Sequence, residues 1–561
     1  MKRVVVAAVV VLGAVALPAQ GPSTTSRLAP MPNVVAQVLA DTDGDGVKEL
    51  LVVVQSPDGR ASIVRHDATT DGAGLAPRDA VDLRDGAHTL LAIADVNGVA
   101  GDEVVIADPT STAFVVWPKD PASRELTMQP LARRARFALR TGKPQFSPFV
   151  QDLNRDGRAD LLLPTLRGVQ PFLQEATGDD GAPRFVAMEP LPVPVQTNVD
   201  AGTDALDEEL QGSLVIPQIE TEDLNGDGRR DLLTREDEKH SFWLQQANGT
   251  FAAPIVVDLA QFEDSTPKAA VAPGSTLVLG DRKLLQRGDV DGDRIPDFVI
   301  AHRRKVWTFL STTNGPQFTK ARTQAVADDV TAMLVVDLDG DRRAELLTFQ
   351  LQVPGVGSLL LGLVQSIDID VKCVGYRSEN GAFANTPTWR RTVTLRIPPI
   401  LSLLGRQEEL VKRFTDIVGK VRIGVRGAFT APAKKDLALV RGDATAVDLF
   451  PREGDAPSLA DDTGREMLKN LLFDDPNPVF DLERVFGLLS GFLDRVSGSL
   501  VGERQPTASI PLRPAAEWRL VELLVGNLHG DARDELIAVY DSVGDAAPRQ
   551  RAFDLLAWPT K

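Results

Sequence analysis

A nine-residue pattern constrains this chain more than any other feature. Its first copy, Asp41-Thr42-Asp43-Gly44-Asp45-Gly46-Val47-Lys48-Glu49, puts oxygen-bearing side chains at the first, third, fifth and ninth places with glycine between them. Four further copies keep that frame: Asp152, Asn154, Asp156 and Asp160; Asp223, Asn225, Asp227 and Asp231; Asp289, Asp291, Asp293 and Asp297; Asp337, Asp339, Asp341 and Glu345. One match to such a spacing is weak evidence, whereas five in register require a repeated structural unit.

Oxygens on alternate residues of a tight bend suit a hard cation. Calcium takes six to eight oxygens at roughly 2.3–2.6 Å, so each copy is a candidate calcium loop, about five sites in all. By extension from the EF-hand loop, the seventh residue (Val47, Arg158, Arg229, Ile295, Arg343) offers its backbone carbonyl, leaving its side chain free to vary. The EF-hand itself needs a bidentate glutamate at the twelfth place and a helix on each side. Here those places hold Val52, Leu163, Thr234, Ile300 and Thr348. The flanks read as strands, with Leu334-Val335-Val336 leading in and Leu50-Leu51-Val52-Val53 or Phe298-Val299-Ile300 leading out.

Three weaker copies share the frame. Asp95, Asn97 and Glu103 keep the ends but place Val99 fifth; Asn527, His529, Asp531 and Glu535 soften two ligands; near 428 only the exit carboxylate Asp436 and its strand survive. Metal is expected in the five full loops, is open at 95 and 527, and is not expected near 428. The eight starts, at 41, 95, 152, 223, 289, 337, about 428 and 527, lie about 69 residues apart on average. After most exit strands comes an aromatic strand, as in Ala113–Trp117, Phe242–Leu244, Val306–Leu310, Val447–Phe450 and Phe553–Trp558. Several then turn through Asn-Gly, at Asn248-Gly249, Asn314-Gly315 and Asn380-Gly381, a strong hairpin signal. A fourth strand follows in most units, but the last unit reaches Lys561 after three. The segment from Thr25 to Asn33 is therefore expected to supply the missing strand and close a ring, which removes open sheet edges.

These units resemble FG-GAP/VCBS repeats, the calcium-loop propeller repeats of integrin α-chain heads and of many secreted bacterial proteins. The resemblance covers most of residues 23–561 and implies an all-β fold. It implies a single β-propeller of eight four-stranded blades, or seven if the unit near 428 is not independent, whose loop carboxylates ligate Ca2+. The chain departs from the family pattern in its three degraded loops and at Arg294 and Arg342, where glycine is usual in the sixth place.

Composition fixes the setting. Lys2-Arg3, an apolar run from Val4 to Leu17 and Pro18-Ala19-Gln20 read as a signal peptide over residues 1–19, too short to span a bilayer, so a secreted or periplasmic chain without a membrane span is expected. No cysteine follows that run to accept a lipid. Cys373 is the only cysteine, so no disulfide braces the fold, and ions bound only by the native state take that role. At millimolar calcium, a loop with a dissociation constant of about 0.1 mM adds roughly 1.4 kcal/mol. The formal net charge is -17, and the five full loops carry eighteen carboxylates, so the acidity is largely concentrated there and no basic nucleic-acid footprint exists.

Two stretches break the strand rhythm. Within 398–420 and 457–498, the segments Gln407–Lys420 and Asp481–Val496 each collect apolar residues on one helical face and are expected as short amphipathic helical insertions packed on the propeller. The strands between Val353 and Ile397 are unusually long, and the acidic segment from Gln196 to Gly212 is expected to be a solvated connection. His66, His88, His240, His302 and His529 are scattered and are expected at the surface or in loops. No nucleophile elbow, zinc-protease motif or phosphate loop occurs, and Cys373 is expected to be a packed, inert thiol. A non-catalytic, monomeric module for an unidentified protein or glycan ligand is expected. The alternatives are a lyase acting on acidic polysaccharides, for which no catalytic residue stands out, and a lectin.

Overall fold

A computed structural model describes residues 24–558 apart from 118–126, 133–141, 201–210, 266–276, 354–363, 410–423, 451–477, 488–504 and shorter interruptions. The signal segment 1–19, His88 and most of the two amphipathic segments lie outside the described residues; within Asp481–Val496, residues 483, 484, 486 and 487 are helical.

The chain is all-β, and among the described residues eight sheets of three or more strands follow one another in sequence order. Sheet 1 is Val34–Ala40, Glu49–Gln55, Ala61–Ala68 and Leu75–Leu83. Sheet 2 begins with Leu90–Ala94, Glu103–Ala107, Thr112–Val116 and Thr127–Ala132, sheet 3 with Val150–Gln151 and Asp160–Thr165, and sheet 4 with Glu220–Glu222 and Asp231–Glu236. Sheet 5 contains Leu284–Gly288, Asp297–Phe309 and Arg322–Val330; the second of these covers what other units divide into two strands, with Arg303 in the left-handed region at φ 54°. Sheet 6 is built on Ala332–Val336, Glu345–Val353, Ile367–Tyr376 and Trp389–Ile397, and carries the long strands read from the sequence. The unit near 428 forms sheet 7 in its own right, from Gly424–Gly427, Asp436–Val440, Ala446–Phe450 and Ala508–Pro511. Sheet 8 has Trp518–Gly526, Glu535–Ser542 and Gln550–Ala557, and takes its fourth strand from Thr24–Arg27, which pairs antiparallel with Arg27 opposite Asp554. The expected closing strand is thus in place, extended by Met31–Pro32.

Period-two alternation explains why the exit strands are apolar without interruption. Leu51 and Val53 pack with Leu91, Val104 and Ile106 of sheet 2, while Leu50 and Val52 pack with Ile537, Val539 and Phe553 of sheet 8. Each such strand is covered on both faces and has no polar side to present. The same stacking joins sheets 2 and 3, 3 and 4, 4 and 5, 5 and 6, and 7 and 8. This order is propeller-like. Aromatics lie between sheets, as where Phe242 meets Phe298 edge-on at 5.0 Å.

Residues Gln196–Asp200 and Gln211–Val215, around the acidic segment, pair as antiparallel strands. One expectation needs correction. His66, His240 and His302 are buried in strands, not exposed, because both faces of those strands are stacked upon. Burial holds His66 below the usual histidine range and takes His240 down to about 4, with Arg235 adding to the effect. Cys373 is buried, and burial pushes its thiol up to about 11. Among the described residues no helix is long and apolar enough to cross a membrane.

Candidate metal centre

Each loop is shaped by its own carboxylates before any ion is considered. The ninth-place carboxylate accepts the N–H of the second residue in seven units at 2.7–2.9 Å: Thr42 to Glu49, Val96 to Glu103, Leu153 to Asp160, Leu224 to Asp231, Val290 to Asp297, Leu338 to Glu345 and Leu528 to Glu535. Near 428 a related bond runs from the Thr430 N–H, six rather than seven residues before the exit acid, to Asp436 at 2.8 Å, so that unit keeps a use for its exit acid. The first-place carboxylate accepts the fourth- and sixth-place N–H groups, as from Gly44 and Gly46 to Asp41 at 2.8 and 3.0 Å. Both donors must then adopt positive φ, 74° and 84° here, which is where glycine costs least. Arg294 and Arg342 hold the same conformation at 72° and 73°.

In three loops the acid oxygens also converge. Single oxygens of Asp41, Asp43, Asp45 and Glu49, of Asp289, Asp291 and Asp297, and of Asp337, Asp339 and Glu345 lie within 4.8 Å of one another. That separation matches oxygens placed about 2.3–2.6 Å from a shared ion. Asp293 and Asp341 do not join their loops' groups. Asp43 Oδ1 and Glu345 Oε1 are buried with no hydrogen-bond partner, a costly state that a cation would relieve. The donor set, all carboxylate, is that of a hard divalent ion. Burial raises the exit acids, Glu49, Glu103 and Asp297 to about 7, Asp160 and Asp231 to about 6, and Glu345 above the usual range.

The remaining loops satisfy themselves. In those at 152 and 223, Arg158 and Arg229 lay their guanidinium Nη2 on the carboxylates of Asp156 and Asp227, so the seventh side chain is not free to vary as expected. In the loop at 95, Asn97 Nδ2 donates to Glu103 Oε1 at 2.5 Å; in the loop at 527, His529 Nδ1 lies 3.2 Å from Glu535 Oε1. Sequence reading also missed Arg65, 1% exposed, whose Nη2 lies 2.7 Å from Asp43 Oδ2 and 3.6 Å from Glu49 Oε1 and whose Nε lies 2.7 Å from Asp67 Oδ1. It stands on the third strand of sheet 1, outside the loop frame, and no spacing rule points to it.

Neighbouring loops are bonded to each other. The eighth-place N–H reaches the first-place carbonyl of the preceding loop: Lys48 to Asn527 at 2.7 Å, Asp102 to Asp41 at 2.5 Å and Ala344 to Asp289 at 2.6 Å. The first of these joins the last loop to the first. In the loop at 289 that place is Pro296, which has no N–H to give.

Stacked antiparallel sheets with acid-lined hairpin bends define an all-β repeat protein, and comparison with known proteins agrees with the repeat. Residues 289–348 match the FG-GAP-like repeat family, so that stretch of the chain is an FG-GAP-like repeat. Among curated proteins none matches. Solved structures similar in part include an Agrocybe aegerita lectin that recognises non-reducing terminal N-acetylglucosamine (14% identity, 66% of this chain and 94% of the other, TM-score 0.24). Another is Sqt1 from Chaetomium thermophilum (9% identity, 94% and 100%, TM-score 0.29). At those scores neither likeness carries an argument about fold or ligand.

Proposed function

We propose that this chain is a secreted or periplasmic, calcium-stabilised β-propeller of eight blades that acts without catalysis as a binding or scaffold module for a protein or glycan. The observation that carries this reading is the convergence of acid oxygens in the loops at 41, 289 and 337. Their carboxylates would hold Ca2+, which would supply charge neutralisation and stiffening at the hairpin bends of a fold with no crosslink. The family match over 289–348, which includes two of these loops, supports the same assignment.

Thermal unfolding of the mature chain in millimolar calcium and in EDTA tests the reading. A melting temperature several degrees higher in calcium is expected, since native-state binding stabilises by mass action; identical melting would refute it. Absence of catalysis is checked by incubation with uronate-containing polysaccharides. A rise in ultraviolet absorbance from unsaturated sugar ends would overturn that part.

A further inference from the structure

We infer that in the loops at 152 and 223 the seventh-place arginine is the resident cation, so that this chain takes three calcium ions where its motifs count five. The inference rests on the calcium reading above and says which loops that reading covers.

Two loops on different sheets share one arrangement in detail. Arg158 Nη2 lies on Asp156 Oδ2 and Arg229 Nη2 on Asp227 Oδ2. Each arginine is tethered a second time by Nε, to the carbonyl of Gln174 at 3.1 Å and of Gln245 at 3.0 Å. The third-place amides turn their nitrogens to the same oxygens, Asn154 Nδ2 to Asp156 and Asn225 Nδ2 to Asp227, both at 2.9 Å. The backbone N–H groups of Arg158 and Arg229 take the other oxygen, at 2.9 Å in each loop. The fifth-place carboxylate is thus fully engaged, and neither loop yields a convergent acid group. The loop at 527 repeats the device, with Arg533 Nε 2.9 Å from Asp531 Oδ2.

Arginines also reach two of the three convergent loops, Arg65 Nη2 on Asp43 at 2.7 Å and Arg377 Nη2 on Asp339 at 2.8 Å, but they come from outside the nine-residue frame, leave the fifth-place carboxylate alone, and the acid oxygens there still converge. The three convergent loops differ at the third and seventh places. Their third place is aspartate (Asp43, Asp291, Asp339), which when ionised cannot donate. Their seventh place is Val47, Ile295 or Arg343, and the Arg343 side chain lies against Gly292 of the preceding loop. A tethered guanidinium acts at millimolar effective concentration or above, comparable with calcium outside the cell, and makes charge-assisted bonds that an entering ion must break.

Calcium titration of the full mature chain, by calorimetry or equilibrium dialysis with calcium chloride alone, tests this. The wild type should bind three ions and the Arg158→Gln/Arg229→Gln variant five, while Arg158→Lys/Arg229→Lys, which keeps the charge, should stay at three. Five ions in the wild type, or three in the folded glutamine variant, would overturn the inference and leave the calcium reading standing. No ions in any variant would refute the calcium reading itself. The arginine role would then be judged in EDTA: melting lowered by glutamine and restored by lysine supports it, and unchanged melting overturns it.

Discussion

The exit carboxyls of the loops at 41, 95, 152, 223, 289 and 337 tie each bend to its second residue from buried positions, and that burial makes them reluctant to ionise. Glu49 and Asp297, raised to about 7, and Asp160 and Asp231, raised to about 6, hold protons in the folded chain that the unfolded chain releases near pH 4. The native state binds more protons across that window, so without metal its stability falls as pH rises from about 4 to about 7. Calcium requires the deprotonated acids and should flatten or reverse the slope. Melting curves in EDTA are therefore expected to shift downward between pH 5 and 8, and those in calcium to shift less or upward. A second residue-scale expectation concerns Arg342, held at φ 73° with a Cβ. Arg342→Gly relieves a left-handed penalty of about 1–2 kcal/mol at some cost in backbone entropy, so a net gain of about 0.5 kcal/mol is expected in the denaturant midpoint. Gly44→Ala should do the reverse and severely. An added Cβ there would meet the Ala100 carbonyl oxygen at 2.0 Å, and loss of the loop at 41 would be read as one calcium ion fewer.

At the scale of elements, the exit strands and loops were legible because each obeys a local rule. Glu49–Gln55 reads as a continuous apolar run because it is stacked on both faces, and the loop frame is set by bonds within nine residues. What local rules do not reach stayed hidden. Arg65 meets Asp43 only through strand pairing, and the arginines of the loops at 152 and 223 look like tolerated variation until their carbonyl anchors sixteen residues on are seen. Sheet 6 gains Leu277–Val278 and Val479–Phe480 as added two-residue strands, too short to carry a periodic signal. The closing sheet offers a sharp test. Arg513 reaches Asp554 with Nη2 at 2.6 Å and Nε at 2.9 Å, Asp554 is 1% exposed, and Arg27 of the closing strand lies 3.8 Å away. Removing one partner of a buried pair typically costs about 3–5 kcal/mol, so Asp554→Ala should lower the urea midpoint steeply, whereas Asp368→Ala, which breaks an exposed pair with Arg396, should barely move it.

Across the whole molecule, stacking runs in succession from sheet 7 through sheets 8 and 1 to sheet 6, and the acid groups at 289 and 337 sit on adjacent units joined by the Ala344 N–H. The seam lies where Thr24–Arg27 meets Gln550–Ala557. Deleting residues 24–33 should leave the Gln550–Ala557 edge unpaired, and size-exclusion chromatography is expected to show aggregates or strand-swapped oligomers in place of a single species. Because that zipper joins the earliest-made part of the fold to the latest, a polypeptide halted before Gln550 has nothing to fasten its leading strand to. The pairing of Thr24–Arg27 with Gln550–Ala557 thus makes the two ends of the fold depend on one another: removing either leaves the other with a raw sheet border.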